Sequence, residues 1–164
     1  MKDNKLVVAQ IGCGAFARSQ HLPNITGRQD LYLKYCCDVN LESAKSAAAA
    51  FGAEFAVADY HEAINDSEVD FISVATPHDL HLPIIQAAAA KGIHVFCEKP
   101  MAMEIPEAWE IVQAEEVIPL SEREAERDSK ILCKAFPPKS KRKLVLSLPS
   151  SFVIFFTSAG LSKI

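Results

Sequence analysis

The sequence predicts an α/β domain, a doubly wound parallel sheet, followed by an atypical helical or disordered C-terminal tail. Three observations lead there. Apolar runs of strand length alternate with alanine-rich helical stretches up to about residue 120, a glycine-rich turn follows the first apolar run, and after Leu120 the alternation stops. The chain therefore divides into residues 1–120 and a tail of uncertain structure over 121–164.

Residues 5–11 are apolar at consecutive positions, as in a parallel strand buried on both faces, and the glycines after them release the chain into a helix through about His21. Leu31 to Val39 reads as the second strand, with Asp38 at its end, and Leu41 to Phe51 as a helix rich in alanine and closed by Gly52. Glu54 to Ala58 is a short third strand, and Asp59 caps a short helix over Tyr60 to Asn65. Val69 to Ala75 is the fourth strand, Leu80 to Lys91 a helix stopped by Gly92, and Ile93 to Cys97 the fifth strand. Pro106 suits the first turn of a last helix reaching about Glu116. Strands alternating with helices at these spacings call for right-handed crossovers and a parallel sheet.

Composition narrows the function. Of 164 residues, 49% are hydrophobic and 23% charged, a soluble globular balance with room for one domain of ordinary size. Residues 1–120 hold 8 Lys/Arg against 17 Asp/Glu, and 121–164 hold 9 against 4, so an acidic domain carries a basic tail. The acidic part has no basic stripe of the kind that binds phosphate backbones, and no nucleic-acid partner is expected. Five cysteines, Cys13, Cys36, Cys37, Cys97 and Cys133, show no C-x-x-C spacing, which argues against a disulfide framework or zinc site and for a reducing compartment. The apolar run near the N-terminus is too short for a signal-peptide core, so a cytoplasmic location is the expectation.

The chemistry begins at Gly12-Cys13-Gly14-Ala15-Phe16-Ala17. A pyrophosphate requires backbone N–H donors, no obstructing side chain and the positive end of a helix dipole. Gly12 permits the tight turn, Gly14 the close approach of phosphates, and Ala17 the packing of helix on strand. Such a string gains weight from its context, a strand before, a helix after, and Asp38 ending the next strand 21 positions beyond Ala17. Asp38 would accept hydrogen bonds from the adenosine ribose hydroxyls and repel a 2′-phosphate, and Val39-Asn40 supplies no arginine, so NAD is expected rather than NADP. In a purely structural role the glycines make a turn and Asp38 caps the following helix.

Further along stand Ala75-Thr76-Pro77-His78-Asp79-Leu80-His81 and Val95-Phe96-Cys97-Glu98-Lys99-Pro100. With the glycine turn, these segments resemble the cofactor domain of the Gfo/Idh/MocA oxidoreductases, a Rossmann-like fold, over about residues 5–118. The resemblance implies that Thr76, Pro77 and His81 border the cofactor, with Ala75 beside them, and that Glu98 and Lys99 face the nicotinamide and a sugar or polyol substrate. A lysine at the carboxyl edge of the sheet would donate to a substrate hydroxyl and favour a developing alkoxide during hydride transfer, which makes Lys99 the catalytic candidate. Read from the residues alone, Lys99 is equally a surface lysine paired with Glu98.

Other candidates carry less. His78 and His81 lack a third ligand, so no metal site is expected. His21, His61 and His94 give no signal, Cys13 reads as a small filler of the turn, and Trp109 as a packing residue. In the resembled family a glycine, a strand and an arginine-containing segment lead into a second domain that carries a catalytic histidine. Val117-Ile118-Pro119-Leu120-Ser121-Glu122-Arg123-Glu124 does not follow that pattern, and the family substrate domain is expected to be absent, as in a truncated dehydrogenase. Leu144 to Leu161 would span about 27 Å as a helix, close to a bilayer core of about 30 Å, but Pro149 and the Ser/Thr content argue against a membrane anchor. Two functions stay open: an NAD-dependent sugar or polyol dehydrogenase, and an NAD(H)-binding module without turnover of its own. Oligomeric state is not legible.

Overall fold

The computed structural model describes residues 4–115. Five parallel strands, β1 (Leu6–Ile11), β2 (Leu31–Cys37), β3 (Phe55–Val57), β4 (Phe71–Val74) and β5 (His94–Cys97), form one sheet in the order β3-β2-β1-β4-β5. The helices are α1 (Leu22–Thr26), α2 (Leu41–Phe51), α3 (Tyr60–Ile64), α4 (His81–Ala89) and α5 (Ile105–Glu115). The chain starts at the centre, winds one way to β3, then crosses over to β4 and β5. The reversal falls between β1 and β4, where open α/β sheets bind ligands.

Both faces of the sheet are covered, which explains why the strands read as continuous apolar runs. On one face Leu6, Val8, Phe71 and Phe96 pack with Leu22 and Ile25 of α1 and Ala47 and Ala48 of α2. On the other, Val7, Ala9, Ile11, Ile72, Val74 and Val95 meet Ile64 of α3, Ile84, Ile85 and Ala88 of α4, and Ile111 of α5. Alanines on α2 and α4 let these helices lie close to the strands.

Local signals explain the element ends. Asn40 caps α2, its side chain accepting from the N–H groups of Glu42 and Ser43, and Gly52 ends the helix with φ +74°. Asp59 accepts from the His61 N–H at the start of α3. The expected helix ending near His21 instead continues to Thr26. Ala17–His21 form a π turn in which the Leu22 N–H donates to the Ala17 carbonyl, and the wider turn lets Pro23 sit in the first turn of α1, where its missing N–H is tolerated. The helix after β4 opens with a 3-10 turn, His78–Leu80, and ends at Ala89. In β2 the pairing with β1 jumps from Leu33 to Tyr35, leaving Lys34 as a bulged residue. Its buried ammonium pairs with Asp66 at 2.6 Å and Glu68 at 2.5 Å, which compensates the charge inside. The tail over 121–164 and Cys133 lie outside the described residues.

The register fixes the site. Ile11 is level with Cys37 and Val74, and Val74 with Cys97. The next residues, Asp38, Gly12, Ala75 and Glu98, therefore stand in one row at the carboxyl edge. Backbone bonds carry the ladder one step further: Gly12 N–H donates to Cys37 O at 2.8 Å, Ala75 N–H to Ile11 O at 2.8 Å and Glu98 N–H to Val74 O at 3.0 Å.

At Gly12, φ is +85° and a Cβ would lie 2.4 Å from the Ala75 carbonyl oxygen, whereas a Cβ on Gly14 would meet nothing within 4 Å. Gly12→Ala should lower stability by about 2–4 kcal/mol through backbone strain and overpacking. Gly14→Ala should change it by less than about 1 kcal/mol. Urea unfolding of the two variants checks the contrast, and equal losses would contradict it.

Candidate functional site

Six of the site residues expected from the sequence line one cleft. Its volume is about 260 Å³, and Gly12, Gly14, Asp38, Ala75, Thr76 and Pro77 line it together with Val39, Tyr60, Leu80 and Ile84. The lining is mostly apolar, its polar groups being the turn, Asp38 and the Tyr60 and Thr76 hydroxyls, a shape suited to a flat aromatic base with a polar ribose at its rim. Val39 is 86% exposed at the mouth.

Asp38 is half-buried, and its carboxylate accepts from the Cys13 N–H at 2.9 Å and the Asn40 N–H at 2.9 Å. Asn40 caps the following helix, so Asp38 is not the side chain that caps α2; it ties the glycine turn to the end of β2 and keeps lone pairs toward the cleft. Arg18 braces the same turn, donating to Cys13 O at 2.9 Å and Ser43 O at 2.9 Å. Ala15 and Phe16 are exposed above the turn, and Ala17 is fully buried against the sheet.

Two observations test whether these residues fit a dinucleotide. The space over Gly14 is empty and would be filled by any Cβ, as a backbone cradle for phosphates requires. Thr76 Oγ1, on the cleft wall, is buried without a hydrogen-bond partner, a donor and acceptor available to a ligand. Both fit the group.

The remaining expected residues lie elsewhere. His81 is fully buried and outside the cleft lining, with Nδ1 3.1 Å from Pro100 O and 3.3 Å from Met101 O and Nε2 3.1 Å from Thr76 O. It holds the loop after β4 against the loop after β5. Lys99 is exposed at the end of β5, and its peptide bond to Pro100 is cis. Glu98 is 8% exposed and turns inward, so it does not pair with the Lys99 ammonium at the surface but accepts the Lys99 N–H at 3.2 Å. Its other oxygen lies 2.8 Å from His21 Nε2, and His21 Nδ1 lies 2.7 Å from Ser73 Oγ. His21 and Ser73 were not flagged by the sequence. The only signal available was the polar serine inside the apolar run Phe71–Val74, because the pairing of His21 with Glu98 spans 77 positions.

Cys13, Cys36, Cys37 and Cys97 are free and buried. The Cys13 thiol is pushed up by its hydrogen bond with Cys36 and by burial, and burial raises Cys37 and Cys97 to about 12, so these three are not activated nucleophiles, whereas the buried Cys36 is lowered by its hydrogen bond with Cys13. Trp109 is 64% exposed, and the expected packing role fails because α5 buries Ile111 instead. Among the described residues no cluster of three His, Cys, Asp or Glu could hold a metal, and no helix is long and apolar enough to cross a membrane.

Burial opposes ionisation of Glu98, but the hydrogen bond and charge of His21 and the Lys99 N–H hold its carboxyl below the ordinary 4.5. A carboxyl lowered on folding stabilises the fold above its unfolded pKa, and that contribution is lost as pH falls through the lower folded value. Thermal melts of the wild type and Glu98→Gln should therefore differ most at neutral pH and converge as the pH falls below the ordinary carboxyl value of 4.5 and through the lower folded one. A constant difference across that range would contradict the ionised pair.

Residues 6–117 match the Gfo/Idh/MocA oxidoreductase family in its NAD-binding Rossmann fold. An inositol 2-dehydrogenase from Arthrobacter sp. (strain FB24) is 37% identical over 112 residues, covering 68% of this chain and 33% of its own length. A dehydrogenase from Bordetella pertussis in complex with NADH and UDP-GlcNAcA superposes with TM-score 0.63 at 29% identity, over 68% of this chain and 34% of that one. A 3-ketoreductase from Actinomadura kijaniata in complex with NADP and TDP-benzene gives TM-score 0.64 at 26% identity, over 69% and 34%. The chain thus spans about a third of the length of the curated relatives it matches. By its motif, its sheet order and these likenesses, the chain belongs to the Gfo/Idh/MocA oxidoreductase family and carries that family's NAD-binding Rossmann domain.

Proposed function

We propose that the chain binds NAD(H) with the pyrophosphate over Gly12, Gly14 and Ala15, the adenosine ribose on Asp38, and the adenine in the apolar cleft beside Val39, Tyr60 and Leu80. Its parent activity is a cytoplasmic NAD-dependent oxidation of a sugar or polyol CH–OH. The observation that carries this reading is the row Asp38, Gly12, Ala75, Glu98, set by register, with an open cradle at Gly14. Asp38 favours NAD because a 2′-phosphate would meet its carboxylate, and neither Val39 nor Asn40 offers a compensating cation.

NAD⁺ held by the glycine turn and Asp38 would supply the hydride acceptor. Lys99, exposed one step beyond Glu98, donates a hydrogen bond to the substrate oxygen and stabilises negative charge growing there. Thr76 and Pro77 border the cofactor at the end of β4.

One observation favours the reading as a binding module when the described domain acts alone. His21 is engaged by Ser73 and Glu98, and His81 faces backbone carbonyls on both sides, so neither buried histidine at this edge is placed to take a substrate proton. A positioned base commonly contributes about 10²- to 10⁴-fold.

NADH titrated into the chain should bind saturably and more tightly than NADPH. Asp38→Ala should weaken NADH about tenfold or more and narrow that preference, and Gly14→Ala should weaken binding without loss of stability. Absence of binding, or indifference to Asp38→Ala, would remove the site. Against a panel of sugars and polyols the chain alone should turn over weakly, and brisk Lys99-dependent turnover would overturn the binding-module reading.

A further inference from the structure

We propose that His21 is a positioning residue, acting through Glu98 to present Lys99 to the nicotinamide end of the bound cofactor; the inference rests on the NAD-binding reading above. His21 closes the π turn that follows the glycines, and its ring is buried between Phe16 and Phe96, edge-on to both at 5.5 and 5.2 Å. Its hydrogen bonds reach the interior of β4 at Ser73 and the end of β5 at Glu98. Glu98 in turn holds the Lys99 N–H. The segment that carries the phosphate site and the segment that carries Lys99 are thereby joined by one side chain.

An ionised Glu98 can only accept, so Nε2 of His21 donates to it, while Nδ1 and the Ser73 hydroxyl share the second hydrogen bond of the ring. The Lys99 N–H donates to the other carboxylate oxygen. Every member of this chain is satisfied, which fixes the carboxylate in one orientation.

Stability alone does not explain the arrangement. Ser73 and Gln10 are register partners on a sheet face otherwise filled by Leu6, Val8, Phe71 and Phe96. Apolar side chains of similar volume would fill that layer at no desolvation cost, since a buried ion pair seldom outperforms them. The polar layer ends at Glu98, the residue before the exposed Lys99, and the π turn that carries His21 is a helix irregularity found frequently at functional sites.

The test separates the two halves of the cofactor, using NADH and ADP-ribose as probes of the full chain. Lys99→Ala, His21→Phe and the double variant should each lower NADH affinity by about tenfold, the size of one lost charge-assisted hydrogen bond, with no added loss in the double variant. ADP-ribose affinity should stay within about twofold of wild type, because the glycine turn and Asp38 are intact. Ser73→Ala, which leaves the buried charge paired, should shift NADH alone by about threefold and carries the test if His21→Phe does not fold. Parallel losses for NADH and ADP-ribose, additive losses in the double variant, or no loss in NADH affinity would overturn the positioning role. A wild-type chain that binds neither probe would instead sink the NAD-binding reading itself.

Discussion

The contact on which the site depends is the approach of Gly12 to the Ala75 carbonyl, closer than any side chain allows. It forces β1 to turn at the level where β4 ends, opening the crevice between the two halves of the sheet. Because the turn comes there, the Cys13 N–H reaches the Asp38 carboxylate and the helix begins over the sheet. The Ala75 N–H to Ile11 O and Gly12 N–H to Cys37 O bonds lock three strands at the same level. Asp38 and Glu98 reach the rim from strands on either side as a consequence of that alignment.

The two carboxylates at this rim live under different constraints. Asp38 sits half in solvent, held by two backbone N–H groups, and is oriented toward the cleft while keeping acceptor capacity. Glu98 is withdrawn from solvent and spends both oxygens on the protein, one on His21 and one on the Lys99 backbone. One carboxylate is thus available to a ligand, and the other organises the chain around the residue beside it. His81 plays a comparable part on the opposite sheet face, clamping the loops after β4 and β5 through their carbonyls.

Much of this was legible in the sequence because the signals were local. Apolar runs marked the strands, the alanine stretch marked α2 and Gly52 its C-terminal end, and Asp59 capped α3 as its position required. Asp38 was recognisable from its distance to the glycine turn. What escaped depended on contacts remote in sequence. The bulge at Lys34 follows from acidic partners 32 and 34 positions away, and the inward turn of Glu98 from a histidine 77 positions earlier. The helical segment after the glycine turn outran its expected end because Pro23, which would normally stop a helix, falls two residues after a π turn that removes the conflict. Trp109 was misjudged because spacing on a helix identifies a face but not whether anything covers it.

The central claim is that the dinucleotide lies across the end of β1, between Asp38 and the loop after β4. Backbone amide chemical shifts of the labelled chain, followed by NMR as NAD⁺ is added, test it most directly. The account predicts saturable shifts concentrated at Gly12 to Phe16, Asp38, Val39, Thr76 and Lys99, with the opposite edge of the sheet around Arg28 and Asp66 unmoved. Shifts confined to that opposite edge, or none at saturating NAD⁺, would contradict it.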